Sequence, residues 1–372
     1  IESLYITRSI QDRADQLISE SEMLFTKLSR LSSLSDLALR LYGWYIKNGH
    51  ARTEEDEKEI SSLVKNNLLL VKPDETNFYE QLYFYQSYSW YAFITQDFLT
   101  YYRYTQKWVD LFEREPQMID IETTVYIKGM HNLMGAHFDL RNYEKLSETL
   151  HRFEKFAQSD AVLRNENNLI QTFVYLNTSR LNKHFLEGSF TEGLSLVPGR
   201  TAKLDEYAIY LDRHRVLIFY YKIASLYFGS GDCSTAIDYL NKIINWKVDL
   251  RTDLQCYSRL LHLISHYEIG NYDLMEYLVK SVYRFMSKMQ NLSIVEEEIF
   301  AFLKTSFHIN VQDVKPALLK LLERLKRHEN SRFETRAFLY LDIISWLESK
   351  IEGVPVQQII KQKFMGRKVR HK

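Results

Sequence analysis

The sequence has few of the residues that make turns and disulfides. Its 372 residues include only 12 Gly, 5 Pro and 2 Cys. An all-β protein needs many turns, which glycine and proline supply, so their scarcity excludes that fold class. Cys233 and Cys256 fit a reducing compartment better than a disulfide framework, and they predict a cytoplasmic protein. No stretch reaches the roughly eighteen unbroken apolar residues of a membrane span, so no membrane partner is expected.

The chain has no excess of charge of either sign. Lys plus Arg and Asp plus Glu number 48 each, so the protein has no electrostatic bias toward nucleic acid, and none is expected as a partner. Residues 361–372 carry Lys and Arg but no acid. A solvated terminus explains this basic tail better than a nucleic-acid or membrane contact does.

Motifs for common enzyme chemistry are absent. The sequence has no glycine-rich phosphate loop, no nucleophile elbow and no paired CxxC motif. His262 and His266 have the spacing of a zinc-binding helix, but they lack the glutamate of the metalloproteases. We therefore interpret the histidines as structural. The sequence predicts a protein that is not an enzyme and that has no metal and no cofactor.

Helical periodicity, in contrast, is abundant. In the stretch from Leu217 to Trp246, apolar residues recur at i, i+3, i+4 and i+7 on both sides of a Gly-Ser-Gly-Asp turn. Asp232 is placed to cap the second helix, because its carboxylate can accept the free N–H groups of the first turn. The stretch therefore predicts a helix–turn–helix hairpin.

The hairpin pattern recurs along the chain as an aromatic residue followed four residues later by a capping residue. The copies begin at residues 93, 138, 185, 228 and 267, a spacing of 45, 47, 43 and 39 residues, which is typical of solenoids. The predicted caps are Asp97, Asn142, Ser189, Asp232 and Asn271. A degenerate sixth copy is predicted at 307–311, with Asn310 as its cap. This repetition predicts an all-α fold, an α-α superhelix of about seven helical hairpins.

The central hairpin resembles the tetratricopeptide repeat. The matching residues are Tyr220, Ile223, Ala224, Tyr227, Gly231, Ala236, Leu240 and Ile243. Two departures are a period longer than the family's 34 residues and the large residue, Tyr101 or Leu146, at the helix crossing. The overall pattern, including residues 346–351, also looks like uncharacterised helical-repeat proteins from Bacteroidetes-type bacteria, a resemblance that implies no activity.

We predict three parts in the chain. A long N-terminal helix would cover residues 1–32, the repeat array 33–330, and capping helices with the basic tail 331–372. Within the first two parts, one helix is expected over 4–31 and a hairpin from helices at 34–47 and 53–71. Because the chain begins without Met, we expect a fragment or a processed form, and the first helix could belong to a truncated preceding domain.

The resemblance to tetratricopeptide proteins implies that the first helix of each hairpin lines a concave face. The candidate partner-binding residues are Tyr83, Gln86, Trp90, Lys128, His131, Tyr175, Thr178, Asn182, Tyr221, Ser225 and Tyr257. Aromatic anchors in such a groove could hold a peptide or a helix. For the column Phe93, Phe138, Phe185, Phe228 and Tyr267, packing between hairpins is favoured over the groove.

These observations leave three hypotheses on function. The first is a non-enzymatic scaffold that binds a protein or peptide partner on its concave face. The second is a peptide-sensing bacterial regulator, because the architecture is similar to that of Rap-type receptors, although no catalytic or DNA-binding element of that family matches a residue here. The third is an enzyme with an unfamiliar site, for which the sequence shows no converging ionisable residues.

Overall fold

The computed structural model describes residues 2–68, 77–246, 251–289, 292–306, 310–329 and 342–370, with single residues 308, 331, 333 and 334. All regular secondary structure in these ranges is helical, which confirms the all-α prediction. The helices are α1 (Glu2–Asn48), α2 (Glu54–Leu68), α3 (Phe78–Ile94), α4 (Phe98–Arg114), α5 (Gln117–Ile121), α6 (Thr123–Asp139), α7 (Tyr143–Phe156), α8 (Asp160–Leu163), α9 (Glu166–Glu187), α10 (Phe190–Gly193), α11 (Val197–Tyr207), α12 (Arg213–Ser230), α13 (Cys233–Ile244), α14 (Thr252–Glu268), α15 (Tyr272–Lys288), α16 (Ile294–Ser306), α17 (Val311–His328), α18 (Ile343–Glu352) and α19 (Val356–Arg370).

Neighbouring helices pair into hairpins, and each hairpin packs on the next. The pairs in contact include α3 with α4, α6 with α7, α12 with α13, α14 with α15 and α16 with α17. The first helices also contact one another, α6 with α9, α9 with α12 and α12 with α14. They therefore form one continuous layer, and the predicted α-α superhelix is confirmed.

The first helix is longer than the sequence pattern indicated. We expected a break near residue 32, but α1 continues through Ser32 and Ser33 to Asn48. Serine is only a moderately poor helix former, and no glycine or proline occurs before Gly43 to end the helix. Burial in α1 begins at Leu34. The predicted second helix of this hairpin ends at Leu68, and residues 69–71 lie outside the described ranges.

The repeat turns share a left-handed residue directly before the predicted cap. The values of φ are 60° at Gln96, 54° at Arg141, 70° at Gly188, 97° at Gly231 and 76° at Gly270. Only glycine adopts this conformation without strain, which explains the glycines in the last three turns. The shared turn makes the hairpins structurally alike although their sequences differ.

Three of the predicted caps are confirmed. Asp97, Asn142 and Asp232 each accept a hydrogen bond from the backbone N–H three residues later, at 3.0, 3.1 and 3.0 Å. Ser189 and Asn271 occupy the predicted N-cap positions of α10 and α15 but make no side-chain capping bond, because each side chain bonds instead to a histidine of the preceding helix, at 2.7 and 2.9 Å.

Two predictions for the later part of the chain, the sixth cap and the capping helices, are not confirmed in full. Asn310 precedes α17 but makes no side-chain capping bond, and Phe307, which begins the degenerate copy, is not described. Of the predicted capping helices within 331–372, the first that the structure describes is α18, which begins at Ile343 with Asp342 as its N-cap, and residues 335–341 lie outside the described ranges.

The hairpin that begins with α9 is irregular. Its second half is divided into the four-residue α10, a 3-10 turn at Leu194–Leu196 and α11. A Cβ on Gly193 would lie 2.9 Å from a methyl group of Leu226, so a larger residue here would force that side chain of α12 to shift. Pro198 lies at the start of α11, where its missing N–H costs nothing.

The array curves until its ends meet other hairpins. At one contact, the backbone N–H of Arg251 donates to the carbonyl of Ile46 at 3.4 Å, and its guanidinium donates to the hydroxyl of Tyr45 at 2.8 Å. The same guanidinium makes two bonds of 2.9 Å to the buried carboxylate of Asp253. At another contact, α19 packs on α9 and α12. The superhelix therefore encloses its concave face.

Candidate functional site

The enclosed concave face forms a cavity of about 980 Å³, which we call the central cavity. Its walls come from α1, α3, α6, α9 and α12, and residues of α19 lie at one side. On α6 the lining residues run from Val125 to Asp139, a distance of roughly 21 Å at 1.5 Å per helical residue. The central cavity is therefore long enough for about six residues of extended chain.

Ten of the eleven candidate residues lie on the wall of the central cavity. They are Tyr83, Gln86, Trp90, Lys128, His131, Tyr175, Thr178, Asn182, Tyr221 and Ser225. Tyr257 does not line it and is 3% exposed in the hydrophobic core around α12 and α14. Their role in binding a partner stays a prediction.

The aromatic column expected to pack between hairpins also reaches the cavity. Phe93, Phe138, Phe185 and Phe228 line it, whereas Tyr267 is buried in the core. The same rings pack against core residues, so they serve both as core and as wall. For these four residues, packing between hairpins and lining of the concave groove are therefore both correct in part.

The rings and charges on the wall are ordered in two layers. In the first, which we call the stacked layer, the ring of His131 lies parallel to that of Tyr175, with centroids 3.8 Å apart. The guanidinium of Arg215 lies 5.0 Å from the centre of the Tyr175 ring and donates a hydrogen bond to the Tyr175 hydroxyl. The stacked layer therefore joins α6, α9 and α12 through one aromatic ring.

The second layer, which we call the lysine layer, lies seven residues further along each of these helices. The ammonium of Lys222 donates to Asn182 at 2.6 Å and lies 5.3 and 5.5 Å from the ring centres of Phe138 and Phe185. Seven helical residues correspond to about 10.5 Å. The two layers therefore present different chemistry at a spacing of about three extended residues.

The sequence analysis missed Arg215 and Lys222. Aligning the repeats places His131 with Thr178 and Tyr221, but in the structure it meets Tyr175 and belongs to one layer with Arg215. The offset is three residues, close to one helical turn, at each step from one hairpin to the next. Tilted packing of successive first helices produces such an offset, and a column in the sequence therefore follows a diagonal on the wall.

Burial shifts the pKa values of the charged groups in the lysine layer. Burial lowers the pKa of Lys222 to about 8, although Asp139 nearby opposes the change. Burial raises the pKa of Asp139 to about 7, and Lys222 opposes this shift in turn. Lys222 and Asp139 both lie in buried surroundings, where water solvates their charged forms poorly. The layer can therefore gain or lose a proton near neutral pH.

In the stacked layer, burial lowers the pKa of His131 to about 3, and the charges of Arg215 and Lys222 add to the effect. Its ring is therefore neutral at ordinary pH. Burial also lowers the pKa of Lys128, with Arg215 lowering it further and Asp212 opposing them. Positive charge is thus concentrated around one end of the cavity wall.

Several buried polar atoms on the wall have no hydrogen-bond partner within the described part of the chain. They are the Nδ1 atom of His131, the Oε1 atom of Gln171 and the Nε1 atom of Trp108. Leaving a buried polar atom unpaired costs about 1–3 kcal/mol. These atoms are covered by neighbouring side chains and do not face the open volume of the cavity.

Among the residues that the structure describes, no three metal-ligating side chains come together. The searched helices include none that is both long and apolar enough to cross a membrane. Comparison with known proteins adds little. No family model and no curated protein matches the sequence.

Among solved structures, the chain is similar to the Rap conjugation gene regulator of plasmid pLS20 in complex with the Phr* peptide. They share 12% identity over 87% of this chain and 96% of that one, with a TM-score of 0.48. It is also similar to a Rap protein complexed with competence and sporulation factor, at 11% identity over 86% of each chain and a TM-score of 0.48. The resemblance to Bacteroidetes repeat proteins is not supported by these comparisons.

Proposed function

We propose that this chain is a non-enzymatic scaffold that holds a peptide, or an extended segment of a partner protein, in the central cavity. The main support is the cavity itself, an enclosed volume of about 980 Å³ with aromatic walls and a few polar groups. Ligand sites typically combine these features. Its length suits a short extended chain, whereas a folded partner would not fit inside it.

Filling the cavity tests this proposal. In the Gly135→Leu variant the new side chain would enter the cavity, because a Cβ at Gly135 meets only the Tyr101 hydroxyl, at 3.6 Å. The matched control is Gly43→Leu, a helix-interior glycine with no atom within 4 Å of its Cβ and no place on the cavity wall. Peptides retained by the wild type from a random library would be identified by mass spectrometry. We expect Gly135→Leu to lose them and Gly43→Leu to keep them.

A second candidate function is a peptide-sensing bacterial regulator of the Rap-like type. One helix carries the relevant features, because α1 contributes Ser35, Leu39 and Tyr42 to the wall and exposes large apolar side chains in its first thirty residues. A ligand that moved this wall would also move the exposed face. Small-angle scattering with and without a retained peptide separates the two functions. An unchanged radius of gyration would contradict the sensor function and would be consistent with the scaffold function.

A further inference from the structure

We infer that the ligand of the central cavity presents a carboxylate to Arg215 and Lys128 in the stacked layer. This inference depends on the proposed peptide-binding function and adds the chemistry of the ligand. The carboxylate can be the C-terminus of the peptide or the side chain of an Asp or Glu. Both present the same planar, two-oxygen acceptor.

The guanidinium of Arg215 is held in place before any ligand binds. It donates to the hydroxyl of Tyr175, and its Nε atom lies 3.5 Å from a carboxylate oxygen of Asp212. Only 18% of the Arg215 side chain is exposed. A planar guanidinium has five N–H donors, so these contacts leave donors over. Arg215 is therefore an ordered donor group in a largely enclosed wall.

The charges around Arg215 do not balance. The charge of Arg215 lowers the pKa of Lys128, and the Lys128 ammonium group makes no hydrogen bond or ion pair with any residue that the structure describes. Asp212 is the nearby acid, and 65% of its side chain is exposed, so water screens it. Arg251, on the same wall, is already paired with Asp253. One anionic group would relieve the repulsion between Lys128 and Arg215.

His131 helps to hold the stacked layer in place. Its ring lies parallel to that of Tyr175, with centroids 3.8 Å apart, and Tyr175 in turn accepts a hydrogen bond from Arg215. The site thus offers a fork from Arg215 and a point charge from Lys128.

The test uses four random libraries of short peptides in a two-by-two design. The C-terminus is free or amidated, and Asp and Glu are included or replaced by Asn and Gln. Wild-type protein is incubated with each library, and the retained peptides are counted by mass spectrometry. We expect the amidated library without acids to be depleted at least tenfold relative to the others. The two mixed libraries show whether the carboxylate comes from the terminus or from a side chain.

Variants of Arg215 and Lys128 test whether these residues cause the preference for a carboxylate. Arg215→Gln should weaken the binding of a retained acidic peptide by roughly tenfold to a hundredfold, the range for loss of a charge-assisted hydrogen bond. Lys128→Gln should weaken it less, by about tenfold, because the Lys128 side chain is more exposed than that of Arg215 and water screens its charge more strongly. Arg213→Gln is the matched control, because Arg213 lies on the same first turn of α12 but is exposed and does not line the cavity. It should leave binding unchanged.

The possible failures are distinguishable. If no library is retained, peptide binding itself is contradicted. If the amidated library without acids is retained as well as the others, peptide binding stands and the carboxylate inference is overturned. Equal loss of binding in Arg213→Gln and Arg215→Gln would also overturn it, because the effect would then be one of overall charge. If Arg215→Gln does not fold, Lys128→Gln decides alone.

Discussion

The backbone of Gly188 lies directly against the backbone at Lys361 in α19. A Cβ on Gly188 would be 2.6 Å from the Lys361 amide nitrogen and 2.7 Å from the Gln357 carbonyl oxygen. Because backbone atoms cannot move aside as a side chain can, this contact requires glycine. It fixes the C-terminal helix on the end of α9, beside the central cavity.

Gly188→Ala should therefore release or displace α19. Two costs combine, because Gly188 also has a φ of 70°. The left-handed conformation costs alanine about 1–2 kcal/mol, and the clash brings the total loss in the free energy of unfolding to about 3 kcal/mol or more. Urea denaturation measures this loss. Gly353→Ala is the control, since its φ is 71° and its Cβ would meet no atom within 4 Å. An equal loss in both variants would mean that the contact with α19 is unimportant.

The closure of the array by Arg251 supports a second prediction. Arg251→Met leaves the carboxylate of Asp253, which is 0% exposed, buried without its ion-pair partner. Breaking a buried pair in this way costs about 3–5 kcal/mol. Tyr45→Phe removes the hydrogen bond from Arg251 to the hydroxyl, keeps the ring and should cost about 1–2 kcal/mol. Denaturation measures stability, and small-angle scattering should show expansion as α1 separates from α14.

The control for this prediction is an exposed ion pair. Lys280 and Glu276 lie 2.6 Å apart, with 60% and 64% of their side chains exposed. Lys280→Met should change the free energy of unfolding by less than about 0.5 kcal/mol. If Arg251→Met also falls within that range, the buried cluster does not hold the array closed.

Local features of the fold could be predicted from the sequence because they depend on neighbours within one hairpin. The caps at Asp97, Asn142 and Asp232 are examples, since each contact spans only three residues. The closed shape could not be predicted in this way. Tyr45 and Arg251 are separated by 206 positions, and their contact depends on the curvature summed over every intervening hairpin.

Most residues of the cavity wall could be predicted from the sequence, but their arrangement on the wall could not. The repeat columns identified ten residues of the wall, because first helices with a shared register point inward together. They did not identify Arg215 or Lys222, because successive helices are displaced by about one turn. Reading the columns along a diagonal of three residues per repeat would have placed Arg215 beside Tyr175.

Tyr221 and Gln86 should respond differently to truncation, although both line the cavity. Tyr221 is only 4% exposed and packs in the core. Tyr221→Ala should lower the free energy of unfolding by about 3 kcal/mol, because it leaves a void. Gln86→Ala should change it by less than about 0.5 kcal/mol. Thermal denaturation compares the two, and similar melting temperatures would contradict the assignment of Tyr221 to the core.

The raised pKa of Asp139 makes stability depend on pH in a defined direction. Burial raises this pKa to about 7, against about 3.9 in the unfolded chain. Between these values the folded protein binds more protons at Asp139 than the unfolded chain does. Its contribution to stability therefore falls as pH rises through that window, by at most about 1.4 kcal/mol per pH unit.

Asp139→Asn removes this contribution without a large change in shape. The wild-type free energy of unfolding minus that of the variant should decrease steadily from roughly pH 4.5 to 6.5, a window that lies below the wild-type pKa of Lys222, about 8. Urea denaturation at several pH values measures the difference. Asp238→Asn, at an exposed position of α13, is the control for loss of one carboxylate. If the difference for Asp139→Asn is constant over the window, or increases with pH, burial does not raise the pKa of Asp139 in the folded protein.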